Sequence, residues 1–267
     1  MLKFLSSIFL SWAVMTTTIP AQELIFDAPA TEQEAMIGIS NFAATEGAMY
    51  LSLYYTVPEN FRLALMADSI ISYTYPLVET CHNNPEFQAK YEETFIKLAQ
   101  LINSNKQKLI KAGIRFDGFS IDLSMQALKS MLPDEYKELI PGDELDLSEP
   151  EEALSQPEML VANYLCYVEG ESFIKSVDLL EAMLQSRPNK QEINRQVIDI
   201  VKDDWRTAAQ YQLVLDPTLK TFAEHETNAI FIECMTQTWN YIPEDVKKDI
   251  LSDQLLKTWL KKWQECL

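Results

Sequence analysis

Glycine is scarce in this chain of 267 residues, which holds only six. That number excludes a glycine-rich phosphate cradle, a solenoid of glycine turns and a collagen-like repeat. Histidine is scarcer still, with His82 and His225 alone, so imidazole-based catalysis has few options. Glu224-His225-Glu226 opens like the helical zinc motif, but Ala229 stands where the second histidine must fall one turn on. The reading for His225 is an exposed imidazole between carboxylates. Positive charge is short as well: 22 Lys and Arg face 40 Asp and Glu, a net charge of −18. Binding a phosphate backbone needs clustered Lys and Arg, so nucleic acid is not the expected partner. No Gly-x-Ser-x-Gly or Ser-x-x-Lys nucleophile motif occurs, and no internal repeat of about 20–50 residues is visible.

What is present points to a folded, exported chain. Hydrophobic residues make up 47% and aromatics 10%, far more than a disordered chain carries. The opening MLKFLSSIFLSWAVMTTTIPA places Lys3 before an apolar run from Phe4 to Met15 and a small polar stretch ending at Ala21, the order of a secretory signal over residues 1–21. That run is about 12 residues, short of the roughly 20 a bilayer span needs, and no later stretch comes near that length. The expectation is a soluble exported protein without stable membrane insertion, periplasmic if the source is bacterial and otherwise secreted.

All four cysteines follow that segment. An even number in an oxidising compartment predicts two disulfides among Cys81, Cys166, Cys234 and Cys266, with three connectivities open. Their spacing matches no zinc pattern. Cys81-His82 suggests a thiol beside a base, yet neighbours on a helix point about 100° apart, so a bonded or buried Cys81 is expected.

Apolar residues recur at helical spacing almost throughout. Leu63, Met66, Ala67, Ile70, Leu77 and Cys81 form one stripe; Phe87, Tyr91, Phe95, Leu98, Ile102 and Leu109 form another, opened by Asn84-Pro85 and closed by Gly113. Met159, Cys166, Phe173, Val177 and Leu180 make a third, and Ile193, Val197, Val201, Trp205 and Ala208 a fourth. The predicted fold class is mainly all-α, an antiparallel bundle of about seven to nine helices. One stretch departs from this: residues 114–123 alternate apolar and polar on both sides of Asp117-Gly118, which predicts a short β-hairpin or extended loop. Pro76 is expected to kink or end its helix, and Gly170 to interrupt another.

Charge divides the chain. Residues 22–132, an N-terminal helical half, carry −5; residues 133–157 carry −8; residues 158–267, a C-terminal half, carry −6. The middle segment holds four prolines and reads as an acidic connector. Its acids, Asp143, Glu144, Asp146, Glu149, Glu151 and Glu152, are the first candidate binding residues. They lack the alternate spacing and central glycine of a calcium loop, so no metal is predicted. Tyr50 and Tyr54, one turn apart, are candidates for an aromatic recognition ridge, with packing between helices explaining the same residues. Lys257, Lys261 and Lys262 beside Trp259 and Trp263 give the C-terminus an amphipathic, cationic character that suits core packing or a membrane surface.

These features predict a non-enzymatic protein that binds a basic protein or peptide, in the manner of an inhibitor, immunity-type protein, chaperone or adaptor, with acidity steering association. No cofactor is called for. The alternatives are a hydrolase whose carboxylates meet only in the fold and a carrier of an apolar ligand.

Overall fold

A computed structural model describes residues 29–147, 154–224 and 228–267; the expected signal segment 1–21 lies outside them. The described residues are overwhelmingly helical and contain no strand.

Helix α1, Glu32–Tyr55, starts where the Thr31 side chain accepts the Glu34 amide hydrogen at 3.1 Å. Its inner face is built from small residues, Ala35, Ala43, Ala44, Gly47 and Ala48, which lets a second helix lie close. α2 (Glu59–Ser72) and α3 (Thr74–Cys81) are one path broken at Tyr73. Pro76 sits in the first turn of α3, where an amide hydrogen has no helical acceptor, so the proline restarts a helix instead of kinking one. α4, Pro85–Ala112, has the predicted punctuation: the Asn84 side chain accepts from Glu86 and Phe87 at 3.0 and 3.1 Å, and Gly113 ends it at φ 124°.

The hairpin expected at 114–123 does not form. Ile114 and Arg115 are irregular, a turn closes from the Gly118 amide to the Arg115 carbonyl at 3.0 Å, and α5 begins at once as Phe119–Ser130. Gly118 has φ −76°, an extended N-cap and not the left-handed geometry a hairpin turn demands. Ile121, Ser124, Met125 and Leu128 are buried at helical spacing, and that burial overrides the local alternation.

After a short 3-10 turn, Asp134–Leu139, the connector runs down the protein to 147. Then α6 (Gln156–Asn163), a π-helical turn (Tyr164–Glu169) and α7 (Gly170–Leu184) form one continuous path; the interruption expected at Gly170 does not end the helix, because Gly170 is helical at φ −56°, ψ −40° and opens α7. α8 is Lys190–Leu215. Short pieces follow: α9 (Lys220–Ala223), α10 (Ala229–Glu233) continuing into a second π turn (Cys234–Thr238), α11 (Glu244–Ile250) and α12 (Gln254–Cys266).

Two apolar clusters dominate, and each draws on both halves of the sequence. One packs α1 against α8 and the C-terminal helices around Trp205, Phe231, Trp259 and Trp263. Gln212, fully buried, accepts from the indoles of Trp259 at 2.9 Å and Trp263 at 3.2 Å. The C-terminal tryptophans therefore serve the core. The other cluster packs α2 to α5 against α7 around Phe87, Tyr91, Phe95 and Phe173. A disulfide, Cys81–Cys166, joins α3 to the π turn. The second expected bridge is absent: Cys234 is buried in the tryptophan-rich cluster, Cys266 is half-exposed and donates to the Thr218 carbonyl at 3.2 Å, and both are free thiols. No described helix is long and apolar enough to cross a membrane.

Candidate functional site: a buried carboxyl cluster

Three acids from three elements meet inside the protein: Glu46 from α1, Glu169 at the end of the first π turn and Asp204 from α8. Glu169 and Asp204 are 1% and 2% exposed. Glu46 is half-buried as a residue, but its Oε2 is sealed from solvent.

Close helix approach makes this meeting feasible. Beside Glu46 stands Gly47, where a Cβ would fall 2.6 Å from Trp205 Cδ1. Trp205, next to Asp204, donates from its indole to the Ala44 carbonyl at 3.1 Å. Beside Glu169 stands Gly170, where a Cβ would lie 2.6 Å from the Tyr91 hydroxyl. The π turn sets Tyr164 and Glu169 five residues apart, one wide turn, and the Tyr164 hydroxyl donates to Glu169 Oε1. Such turns recur at functional sites because they re-aim side chains a regular helix would separate. Cys166, bridged to Cys81, anchors the same turn.

The carboxyls perturb one another. Burial pushes the Glu46 carboxyl well above the ordinary carboxylate range, and Glu169 and Asp204 push it further. Glu169 is itself raised by burial against the opposing pull of the hydrogen bond from Tyr164. Asp204 is raised well above its usual value by burial and then by Glu169 and Asp203; the Ser172 hydroxyl, donating to Oδ1 at 3.3 Å, and Lys175 oppose this only partly. Lys175 is paired with Asp203 instead. Like charges held together in low dielectric favour the protonated form.

Aromatic side chains enclose the acids. Phe42 stacks on Tyr73 with centroids 6.4 Å apart and meets Tyr164 edge-on at 6.4 Å. Tyr73 packs on Phe173 at 6.4 Å. Burial, and then the nearby acids, raise the Tyr73, Tyr164 and Tyr50 phenols well above their ordinary value. Four oxygens in this group are buried without a hydrogen-bond partner: Glu46 Oε2, Glu169 Oε2, Asp204 Oδ2 and the Tyr73 hydroxyl. Among the described residues no group of three or more His, Cys, Asp or Glu stands where it could hold a metal ion.

Of the residues singled out in the sequence, Tyr50 belongs to this cluster: its hydroxyl lies 2.7 Å from Ser176 Oγ, which donates to the Ser172 carbonyl at 2.9 Å. Tyr54 is buried as well, under the Arg62 guanidinium at 4.6 Å. Both are packed inside the protein and form no exposed ridge. Asp143, Glu144 and Asp146 are exposed on the connector. Glu144 pairs with Lys137 at 2.8 Å. The connector is fastened by buried Ile140, by Leu145 and Leu147 against the second core, and by the Leu145 amide donating to the Gln126 carbonyl at 3.2 Å. Glu149, Glu151 and Glu152 fall outside the described residues, as does His225. Cys81 is taken up in the disulfide, so its pairing with His82 carries no nucleophile.

Motif reading passed over Glu46, Glu169 and Asp204, yet each occupies an apolar-stripe position. Glu46 lies between Ala43 and Tyr50, Glu169 between Cys166 and Phe173, and Asp204 between Val201 and Ala208, all at helical spacing. An acid at such a position is the signal that finds them, because an unpaired buried carboxylate is too costly to be incidental. No protein-family model, curated protein or solved structure matches this chain.

Proposed function

We propose that the chain is an exported, non-enzymatic binding protein for a positively charged partner, a basic protein or peptide. One observation carries the reading: Glu46, Glu169 and Asp204 stand together in the interior, each with an unpartnered oxygen, and Lys175, the cation acting on Asp204, is paired with Asp203. Acid left uncompensated inside an already acidic protein favours positive charge brought from outside. The exterior supports the same direction, because Asp134, Glu135, Glu138, Asp143 and Glu144 are exposed along a connector fixed to the core, against which only Lys137 and Lys129 are seen to bond among the described residues. A pre-ordered strip forfeits less entropy on docking than a free one. The Cys81–Cys166 bridge fits an oxidising compartment, and the opening segment fits export.

Affinity capture of the mature chain from its native compartment, eluted in steps of salt, tests this. Recovery of a basic protein released as salt rises is the expected result; a partner of acidic character held independently of salt contradicts it.

Glu46 and Glu169, each raised by burial, support a second reading, a hydrolase with a carboxyl dyad. It requires hydrolytic turnover that disappears when Glu46 or Glu169 becomes an amide.

A further inference from the structure

The stretch between Glu93 and Asp117 reverses the charge of the chain. It holds Lys97, Lys106, Lys108, Lys111 and Arg115 and no acid, in a protein whose net charge is −18. Its last part is the tip where α4 ends and α5 begins, and the backbone there is fixed. The Gly113 amide donates to the Ile110 carbonyl at 3.1 Å and the Ile114 amide to the Leu109 carbonyl at 3.0 Å, a paired closure of the helix end that Gly113 permits at φ 124°. Ile114 is buried, and the Asp122 amide donates to the Gly118 carbonyl at 2.8 Å, so both sides of the turn at 115–118 are tied down.

This ordered tip presents apolar and cationic groups together. Phe119, the first residue of α5, is 80% exposed, the most of any large apolar side chain among the described residues, and Ile110 in the last turn of α4 is 45% exposed. Phe116 is half-buried between them in sequence, with Lys106 Nζ 5.6 Å from its ring centroid. Two cations of the stretch serve the fold: Lys97 pairs with Asp178 at 2.8 Å, and Lys108 donates to the Leu184 carbonyl at 2.8 Å. Lys111 is exposed. Arg115 meets Asp117 at 3.4 Å, but both side chains are largely exposed and water screens the pair. Lys106, Lys111 and Arg115 therefore give the tip a positive charge that the rest of the surface lacks.

Possible occupants differ in what they ask of such a surface. An acidic polypeptide would satisfy the cations and leave Phe119 in water. A second copy of the chain, related by a two-fold axis, would set cation against cation. An anionic bilayer uses both features: an aromatic ring enters the boundary between headgroups and acyl chains while long cationic side chains reach back to the phosphates. We propose that the tip of residues 106–119 docks the protein peripherally on an anionic phospholipid surface, with Phe119 and Ile110 at the acyl boundary and Lys106, Lys111 and Arg115 on the headgroups. The acids elsewhere in the chain repel the same surface, but at physiological ionic strength charges farther off than about 8 Å are screened, so the contact is confined to the tip. It uses neither the connector nor the buried acids and goes beyond the binding of a basic partner.

Co-sedimentation of the mature chain with vesicles of equal parts phosphatidylglycerol and phosphatidylcholine, and with vesicles of phosphatidylcholine alone, is the test. Binding to the anionic vesicles only, falling as salt rises, is the expected result. Lys111→Gln should weaken it about fivefold, the share one lysine contributes near an anionic surface. Phe119→Ser should abolish it, and Phe119→Trp, which keeps a ring suited to the interface, should retain it. Both positions are exposed, so the variants keep the parent's fold and Tm, which circular dichroism checks. Equal binding to both vesicles, no binding to either, or anionic binding indifferent to Phe119→Ser and Lys111→Gln overturns the proposal. A polyglutamate peptide bound in place of the vesicles, and lost in Lys111→Gln, overturns it in favour of an acidic polypeptide. A dimer that Phe119→Ser dissolves, without vesicle binding, overturns it in favour of a second copy.

Discussion

Glu169 raises the proton affinity of Glu46 inside the protein, linking α1 to the π turn that precedes α7. Gly47 and Gly170 stand directly beside these two acids, and neither position has room for a Cβ. The close helix packing and the carboxyl pair are therefore one construction.

The first consequence is a pH dependence of stability. Glu46, Glu169 and Asp204 bind protons more tightly in the folded chain than in the unfolded one, and burial does the same to Asp68, raised to about 6. The folded state holds the extra protons from the ordinary carboxyl range near pH ~4 upward, so stability falls as pH rises through the raised values. Each tenfold difference in proton affinity is worth about 1.4 kcal/mol. Thermal melts between about pH 5 and 8 should show Tm decreasing with pH, and Glu46→Gln, which removes one of the titrating groups, should flatten that slope and raise Tm at the alkaline end. A slope unchanged by Glu46→Gln would place the effect elsewhere.

The cysteines make a second prediction. Denatured, unreduced protein should titrate two thiols, Cys234 and Cys266. In the native protein Cys266 should react first, because Cys234 is buried and its thiol is pushed up to about 12. Removing the Cys81–Cys166 bridge by paired alanines should cost about 2–5 kcal/mol in urea unfolding.

Gly47 stands where α1 and α8 approach closely. A methyl group there would fall 2.6 Å from Trp205 Cδ1 and 2.7 Å from Nε1. Gly47→Ala should destabilise by about 1–3 kcal/mol and alter the near-ultraviolet signal of Trp205; a variant equal to the parent in both would show that α8 yields freely.

Gln212 gives a fourth. Its Oε1 accepts from two buried indoles, and Gln212→Leu removes this one acceptor and leaves both indole donors unpaired. Each unpaired buried donor costs about 1–3 kcal/mol, so the urea midpoint should fall and the tryptophan emission should shift.

The helices were legible because their boundaries rest on local chemistry: Asn84, Pro85 and Gly113 frame α4 as expected, and the apolar stripes fall on the buried faces. Residues 114–123 were misread because alternation and Asp117-Gly118 are local cues, whereas Ile121, Met125 and Leu128 answer to a tertiary core. The even cysteine count suggested two bridges, but pairing depends on which helices touch, and only Cys81 and Cys166 are brought together. The carboxyl cluster escaped motif reading because its members come from distant segments and no fixed spacing unites them. Their places on apolar stripes were written in the sequence all the same.

The most direct measurement is a carbon-13 titration of the side-chain carboxyls, assigned with Glu46→Gln, Glu169→Gln and Asp204→Asn. The cluster predicts that, besides Asp68, resonances of these three acids titrate above the ordinary carboxylate range near pH ~4, with Glu46 and Glu169 responding to each other. Resonances for all three that complete their titration within that range would contradict the account.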